Sequence, residues 1–398
     1  MDDALWRPCR AANLDQLPTP SLILDLDVLD ANIRRMAEGA QKLGVKLRPH
    51  FKTSRSLEVA RLQEEAGCFG FTVSNLRELR VLAESGRRDI TWAYPIIPSR
   101  VPEIAELCLE FPETRIGLVV DSDFALDALL EGLVPKVDGK LAHRLPLWLK
   151  VDCGYHRVGV DPEAESSYEL AARLGSADGM ELRGILSHSG HSYNRPGHDH
   201  ALAVAYEERD VMAVFAARLR ARGIDVPEVS IGSTPAMSAL IRESGAHLEG
   251  VTEMRPGNYV FYDRSQVAIG SCDVTDCAVT VWSSVVSCSP GTGIGAGAGA
   301  RGHSVIDAGA LSLSKDAGPS WLDPPTYGDI LRSDGTLDPN LRVVSLSQEH
   351  GILSGPLPVG ERVRIVANHS CLTVPRFREY VAVRGDRIVG TGDVRPLP

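Results

Sequence analysis

Five short segments place reactive side chains where a strand or helix is about to begin or end. In RPHFKTS (48–54), Lys52 and His50 stand two positions apart, which on an extended backbone puts both on one face. A partly desolvated lysine beside a second potential cation loses its proton more easily, and its amine can then form an imine. The competing reading is a solvated lysine after a strand, the commoner fate of that residue type. KVDCGYHRVGV (150–160) ends an apolar run and then presents Arg157, suited to an anion or phenolate oxygen, or else to pairing with a neighbouring carboxylate. GILSHSGHSY (184–193) carries His188 at a strand end, able to stack on or hydrogen-bond to a ring, with His191 and His198 beyond it. In SIGSTPAMS (230–238), Ser233 and Thr234 lie between a strand and a helix. The free N–H groups there suit a phosphate, and a plain N-cap is the alternative. Gly257, Asn258 and Tyr259, in EMRPGNYVFYD (253–263), could complete such a cradle.

The fifth segment is ANHSCLTV (367–374). Read as a strand, it projects His369 and Cys371 to one face. Imidazole with thiolate favours zinc or a similar borderline metal over magnesium, and two protein ligands leave the open positions a catalytic metal needs. H-x-C alone is equally a buried cysteine near an ordinary histidine.

What must position these residues is legible as alternation. VKLRP (45–49), FGFTV (69–73), ITWAY (90–94), RIGLVV (115–120), PLWLKV (146–151), LRGILSH (182–188), PEVSIG (227–232) and EGVTEM (249–254) read as strands. Helical patterns such as 54–67 and 203–223 lie between them and end in glycine. Eight such units predict an α/β fold, a (β/α)8 TIM-type barrel whose strand ends face the mouth, with a doubly wound open sheet as the alternative. Beyond residue 262 the texture becomes β-branched without long helices. CAVTVWSSVVSC (277–288), HSVIDAG (303–309), RVVSLS (342–347), RVRIVANH (362–369) and YVAVRGDRIVG (380–390), the last a hairpin, predict a mainly antiparallel β domain. The expected domains are therefore 1–262 and 263–398. The glycine-rich 291–302 reads as a hairpin tip and not a phosphate cradle, because β pattern resumes at once. The stretch 314–336 is too rich in Pro, Gly and Asp for regular structure, and long ordered loops of that kind are often functional.

Composition narrows the partners. Lys plus Arg number 42 against 52 for Asp plus Glu, a net charge of −10 with no compensating basic run, which argues against nucleic acid. No apolar run approaches the ~20 residues of a membrane span, and the N-terminal residues lack a signal-peptide pattern. Eight scattered cysteines without a C-x-x-C predict a reducing cytoplasm.

Taken in order, LPTPSLILDLDVLDANI (17–33), RPHFKT, YHRVG, IGSTPA, EMRPGNYVFYD, SLSKDAG, SQEHG and NHSCLT resemble the fold-type III pyridoxal-phosphate enzymes. The branch they look most like holds eukaryotic-type D-serine dehydratase and D-threonine aldolase. The resemblance implies an alanine-racemase-like barrel followed by a β domain, with pyridoxal 5'-phosphate on Lys52. It further implies Arg157 and His188 at the ring beside His50, and Ser233, Thr234, Gly257, Asn258 and Tyr259 about the phosphate. His369 and Cys371 would hold a divalent metal, zinc ahead of manganese. One departure is Ser54, where the family usually has His.

The implied substrate is a small D-3-hydroxy amino acid, and the implied partner a second copy in a homodimer. The implied reaction is β-elimination to a 2-oxo acid and ammonia. Retro-aldol cleavage to glycine and an aldehyde is the alternative. An amino-acid racemase or a non-catalytic pyridoxal-phosphate carrier is the remoter reading.

Overall fold

The computed structural model describes residues 3–289, 291, 302–332 and 335–395. Most of the glycine-rich stretch 291–302 lies outside the described residues. The chain opens with β1 (Ser21–Asp25) and a helix, Leu26–Lys42, whose N-cap Asp25 accepts from the backbone N–H groups of Asp27 and Val28. Eight parallel strands follow: β2 (Lys46–Leu47), β3 (Phe71–Val73), β4 (Asp89–Pro95), β5 (Arg115–Val120), β6 (Leu145–Lys150), β7 (Met180–Leu186), β8 (Glu228–Ile231) and β9 (Glu253–Met254). Each falls on one of the eight expected runs. β6 is buried along its whole length, as expected of a strand packed on both faces.

The sheet runs β2–β9–β8–β7–β6–β5–β4–β3, and its ends meet. His50 bridges Thr72, the Phe51 N–H donates to the Thr72 carbonyl at 2.8 Å, and the Thr72 N–H donates to the Pro49 carbonyl at 2.8 Å. That seam decides for the barrel over the open sheet. The residues that close it are those immediately before Lys52.

The remaining strands are β10 (Val279–Ser289), β11 (His303–Ile306), β12 (Gly328–Leu331), β13 (Leu337–Leu346), β14 (Gly351–Leu353), β15 (Arg362–Ala367), β16 (Glu379–Arg384) and β17 (Arg387–Asp393). β11–β14–β13–β12–β15–β10 returns to β11 and closes a six-stranded antiparallel barrel, while β1, β16 and β17 extend it from β10. β1 is therefore hydrogen-bonded into the second sheet, antiparallel to β10 with Ser21 opposite Trp282 and parallel to β16, although the sequence reading left residues 1–262 together. β12 lies within the stretch expected to lack regular structure. Its register on β15, Gly328 opposite Ala367, carries the chain to within two residues of His369.

Candidate active site

The extended reading of RPHFKTS stops at His50. Phe51 to Ser54 form a turn in which the Arg55 N–H returns to the Phe51 carbonyl at 2.9 Å. Lys52 is half-buried in this turn, and its backbone N–H approaches His50 Nδ1 at 3.5 Å. His50 and His188 both face Lys52. Burial first, and then the Lys52 charge, hold each imidazole well below its ordinary pKa, so both rings are neutral near pH 7. His188 Nδ1 donates to the Gly232 carbonyl at 3.0 Å, which leaves its Nε2 as an acceptor.

Tyr155 packs edge-on against His188 with ring centroids 6.1 Å apart and stacks with His191 at 6.3 Å, while the Arg157 guanidinium lies over the Tyr155 ring, 5.0 Å from its centre. Arg157 is exposed at the rim, and the adjacent His156, held at φ 56°, is tied to Asp152 at 2.9 Å. His198 begins a helix, His198–Ala221, and lies 3.7 Å from the Glu243 carboxylate, outside this group.

Ser233 is the N-cap of the helix Thr234–Leu240, accepting from the Ala236 N–H at 3.4 Å and hydrogen-bonded to Ser192 at 2.9 Å and Ser189 at 3.2 Å. Ser233 and Thr234 are both buried. Gly257 sits where no side chain fits, since a Cβ there would meet the His50 Cβ at 2.8 Å and Thr53 Oγ1 at 3.1 Å. The two segments beyond it part company. Asn258 Nδ2 donates to Asp263 at 2.7 Å, Ser370 at 3.0 Å and the Cys371 sulfur at 3.6 Å, so its amide serves the junction with the second domain. The Tyr259 hydroxyl is fully buried and accepts from Gln63 at 2.9 Å, so any contact of Tyr259 with a phosphate must come from its backbone.

His369 and Cys371 come together, but not by strand alternation. β15 ends at Ala367, His369 is extended, and Cys371 lies in a short helical turn, Ser370–Thr373. His369 Nδ1 contacts Asp316 Oδ2 at 3.0 Å. Burial would lower the His369 pKa, but Asp316 and then Cys371 hold it well above the ordinary value. The Cys371 thiol, which burial pushes up, is pulled below its ordinary value by His369, Lys52 and Thr53. Imidazole, easily ionised thiol and a carboxylate orienting the imidazole fit a borderline divalent metal. Among the described residues no set of three or more His, Cys, Asp or Glu forms a metal site, so water or substrate would fill the remaining positions.

Several residues of this site escaped the sequence reading. Lys150, at the end of β6, is buried and held down to about 7, first by burial and then by Arg255. Arg255 is buried as well and donates to the Ser230 hydroxyl and the Ser187 carbonyl. Beneath them Glu208 accepts from Ser187 Oγ at 2.6 Å and from the Gly232 N–H at 3.2 Å, fixing the loop that ends at His188 and the turn before Ser233. A lysine closing the apolar run PLWLK was a visible signal. Nothing in the helical pattern around Glu208 marked it, and Asp316 lay in a stretch set aside as a loop.

The alanine racemase N-terminal domain family matches residues 24–265, and the putative serine dehydratase domain family matches 278–383. The chain belongs to the D-serine dehydratase branch of the fold-type III pyridoxal-phosphate enzymes. It is 34% identical to D-threo-3-hydroxyaspartate dehydratase of Delftia sp. (strain HT23), over 94% of this chain and 96% of that protein. It is 32% identical to D-serine dehydratase of Dictyostelium discoideum, over 94% and 95%. The solved structure of the Delftia dehydratase superposes with a TM-score of 0.87 at 33% identity, covering 98% of this chain and 100% of that one. That dehydratase has also been solved with a histidine replaced by alanine, and with a cysteine two positions further on replaced by alanine in the metal-free form. The spacing equals that of His369 and Cys371. A D-threonine aldolase from Filomicrobium marinum superposes with a TM-score of 0.80 at 26% identity, covering 97% and 98%, so the same architecture carries two reactions.

Proposed function

We propose that this protein is a pyridoxal-phosphate- and zinc-dependent lyase that eliminates the β-hydroxyl of a small D-3-hydroxy amino acid, giving a 2-oxo acid and ammonia. The observation that carries the reading is the meeting of the lysine turn with the His369–Cys371 pair across the two domains, with Thr53 Oγ1 3.2 Å from the Cys371 sulfur.

Lys52 would hold pyridoxal phosphate, Arg157, His50 and His188 its ring, and Ser233, Thr234, Gly257, Asn258 and Tyr259 its phosphate. At the start of the helix Thr234–Leu240 the Ala236 N–H is capped by Ser233 and Pro235 has none, which leaves the Thr234 N–H. With the first N–H groups of the turn Asn258–Val260 it lacks an intrahelical partner, and phosphate oxygens suit such donors. When bound, the cofactor supplies an electron sink that makes the substrate's Cα proton acidic. Lys52 Nζ would serve as the base for that proton. Neutral His50 and His188 leave the amine without a competing imidazolium, and His188 Nε2 can accept a hydrogen bond from a ring hydroxyl. His369 and Cys371 would hold zinc, a Lewis acid toward the β-hydroxyl, with Asp316 keeping the imidazole oriented.

Retro-aldol cleavage is the second reading. The softer thiolate ligand favours elimination, as does the 32–34% identity to the Delftia and Dictyostelium dehydratases against 24–26% to the aldolases. The eight cysteines are all free thiols, which supports a reducing cytoplasm, and no helix among the described residues is long and apolar enough to cross a membrane. A homodimer is carried by the resemblance, and sedimentation of the purified protein tests it.

The deciding experiment strips metal with a chelator, restores zinc or manganese, and identifies products from D-serine and D-threonine by mass spectrometry. Metal-dependent pyruvate and 2-oxobutyrate with ammonia are expected. Glycine with acetaldehyde from D-threonine would make it an aldolase. Metal-independent loss of optical activity without either product would leave the racemase.

A further inference from the structure

A cavity of about 220 Å³ opens beside the His369–Cys371 pair, bounded by Tyr193, Asp263, Ser265, Gln266, Asp316 and His369. Gln266 is 1% exposed, and its Nε2 donates to the Tyr193 hydroxyl at 3.1 Å. Its Oε1 has no hydrogen-bond partner. Turning the amide over would exchange the two ends and still leave one of them unpaired. A buried amide with an open end costs free energy unless something fills the cavity and meets it. The Tyr193 hydroxyl, kept protonated by burial, is free to donate.

The charge of this cavity is lopsided. Asp263 spends its oxygens on the Asn258 amide at 2.7 Å, the Ser370 N–H at 3.0 Å and the Gln266 N–H at 3.0 Å. Asp316 holds His369 at 3.0 Å and the Gly318 N–H at 2.8 Å. No lysine or arginine is among the described residues that line the cavity. The nearest in sequence are directed elsewhere: Arg264 pairs with Asp329 at 2.9 Å and reaches Asn368 at 3.4 Å, and Lys315 is exposed. A divalent cation on His369 and Cys371 would already be outweighed by the thiolate and the two carboxylates together.

We propose that this cavity receives the substrate's Cβ with its hydroxyl, that Gln266 Oε1 accepts from that hydroxyl, and that the uncompensated negative charge of the cavity rejects a second carboxylate on Cβ. The inference rests on the lyase reading and narrows it: D-serine and D-threonine are the substrates, and D-threo-3-hydroxyaspartate is poor. A buried like charge without a cationic partner is strongly disfavoured, which is the physical basis of the preference.

The test uses zinc-restored protein loaded with pyridoxal phosphate. kcat/KM is measured for D-serine, D-threonine and D-threo-3-hydroxyaspartate, and binding of each is followed separately by the shift it causes in the visible absorbance of the bound cofactor. The hydroxyaspartate is expected to trail D-serine by about tenfold or more in both readouts. Gln266→Arg should narrow that gap by about tenfold, and Gln266→Glu should widen it. Equal or better use of the hydroxyaspartate by the unaltered protein overturns the proposal. A ratio that neither variant moves overturns it too. Should Gln266→Arg fail to fold, Gln266→Glu and the unaltered protein still decide. If the products are glycine and aldehyde, or if nothing turns over, elimination fails as a reading, while the binding ratio still decides the cavity.

Discussion

The Cys371 sulfur lies 3.2 Å from the Thr53 hydroxyl, a contact that spans 318 residues of chain and ends one position from Lys52. It joins the seam where the parallel barrel closes to the short turn that follows β15. Neither domain holds the whole site. Lysine and imidazoles come from the barrel, thiol and third imidazole from the β domain, and Asn258 is hydrogen-bonded to both Asp263 and Ser370 at the crossing. Because His369 and Cys371 are fixed relative to Lys52, a metal held by the pair and the Lys52 amine would act on adjacent carbons of one small substrate, as the proposed elimination requires.

Lys52 is expected to carry the cofactor covalently. Borohydride treatment of the loaded protein should leave a pyridoxyl label on the peptide containing residue 52, found by mass spectrometry. Lys52→Ala and Lys52→Arg should both lose the label and at least about a thousandfold in kcat/KM. A label elsewhere would remove Lys52 from the centre of the site.

Metal content separates ligands from their supports. His369→Ala and Cys371→Ala are expected to purify without stoichiometric metal, read by plasma mass spectrometry, and to lose activity that added zinc does not restore. Asp316→Asn should bind zinc about 10–100-fold more weakly and recover activity in excess zinc, as a residue that orients a ligand does. Full metal occupancy in the Cys371 variant would make H-x-C a structural pair.

Much of this arrangement was legible. The eight barrel strands are mostly buried runs bounded by turns, so their apolar residues announce them without any partner. The seam between Pro49, Phe51 and Thr72 was not, because periodicity describes a strand and says nothing of which strand it meets. β1 shows the same limit more sharply. Its three central residues, Leu22, Ile23 and Leu24, are apolar, but the partners of β1 lie at 279–282 and 381–383. The H-x-C pair was found for a reason the structure replaces, a helical turn in place of strand alternation. Asp316 and Glu208 could not be found, since a carboxylate in a loop or helix looks solvated until the residue it pairs with is known.

The neutral imidazoles set an acid limit. His50 and His188 have folded pKa values well below 6.5, by burial first and the Lys52 charge second. Below pH 6.5 the unfolded chain therefore binds protons that the folded protein refuses. Their stabilising contribution is present above pH 6.5 and is lost as pH falls toward the folded values. Melting temperatures of the protein and of a His50→Gln/His188→Gln double variant, measured from pH 7.5 to 4.5, should show a shallower acid-side fall in the variant. Parallel curves would mean that these rings titrate normally.

Glu208 is a support whose loss should be structural first. Its carboxylate is fully buried and accepts from Ser187, from the Gly232 N–H and weakly from the Cys153 thiol at 3.8 Å. Glu208→Ala strands these donors and removes a negative charge that acts on both Lys150 and Arg255, at a cost of about 2–4 kcal/mol in denaturant titrations. A loss below about 0.5 kcal/mol would show that water replaces the carboxylate.

Gly257 offers the sharpest test of how closely the two halves of the proposed cofactor site are packed. A methyl group there meets the His50 Cβ at 2.8 Å, and Thr53 Oγ1 at 3.1 Å, from a residue whose own φ of −123° any amino acid adopts. Backbone strain is thus excluded as the cause of any effect, and only the contact remains. Gly257→Ala should push His50 and the Lys52 turn outward. Affinity for pyridoxal phosphate, titrated by absorbance into the cofactor-free protein, should fall by about tenfold or more, with a change in melting temperature too small to account for it. Unchanged cofactor affinity would place the cofactor away from the Gly257 turn and withdraw Gly257, Asn258 and Tyr259 from the phosphate together.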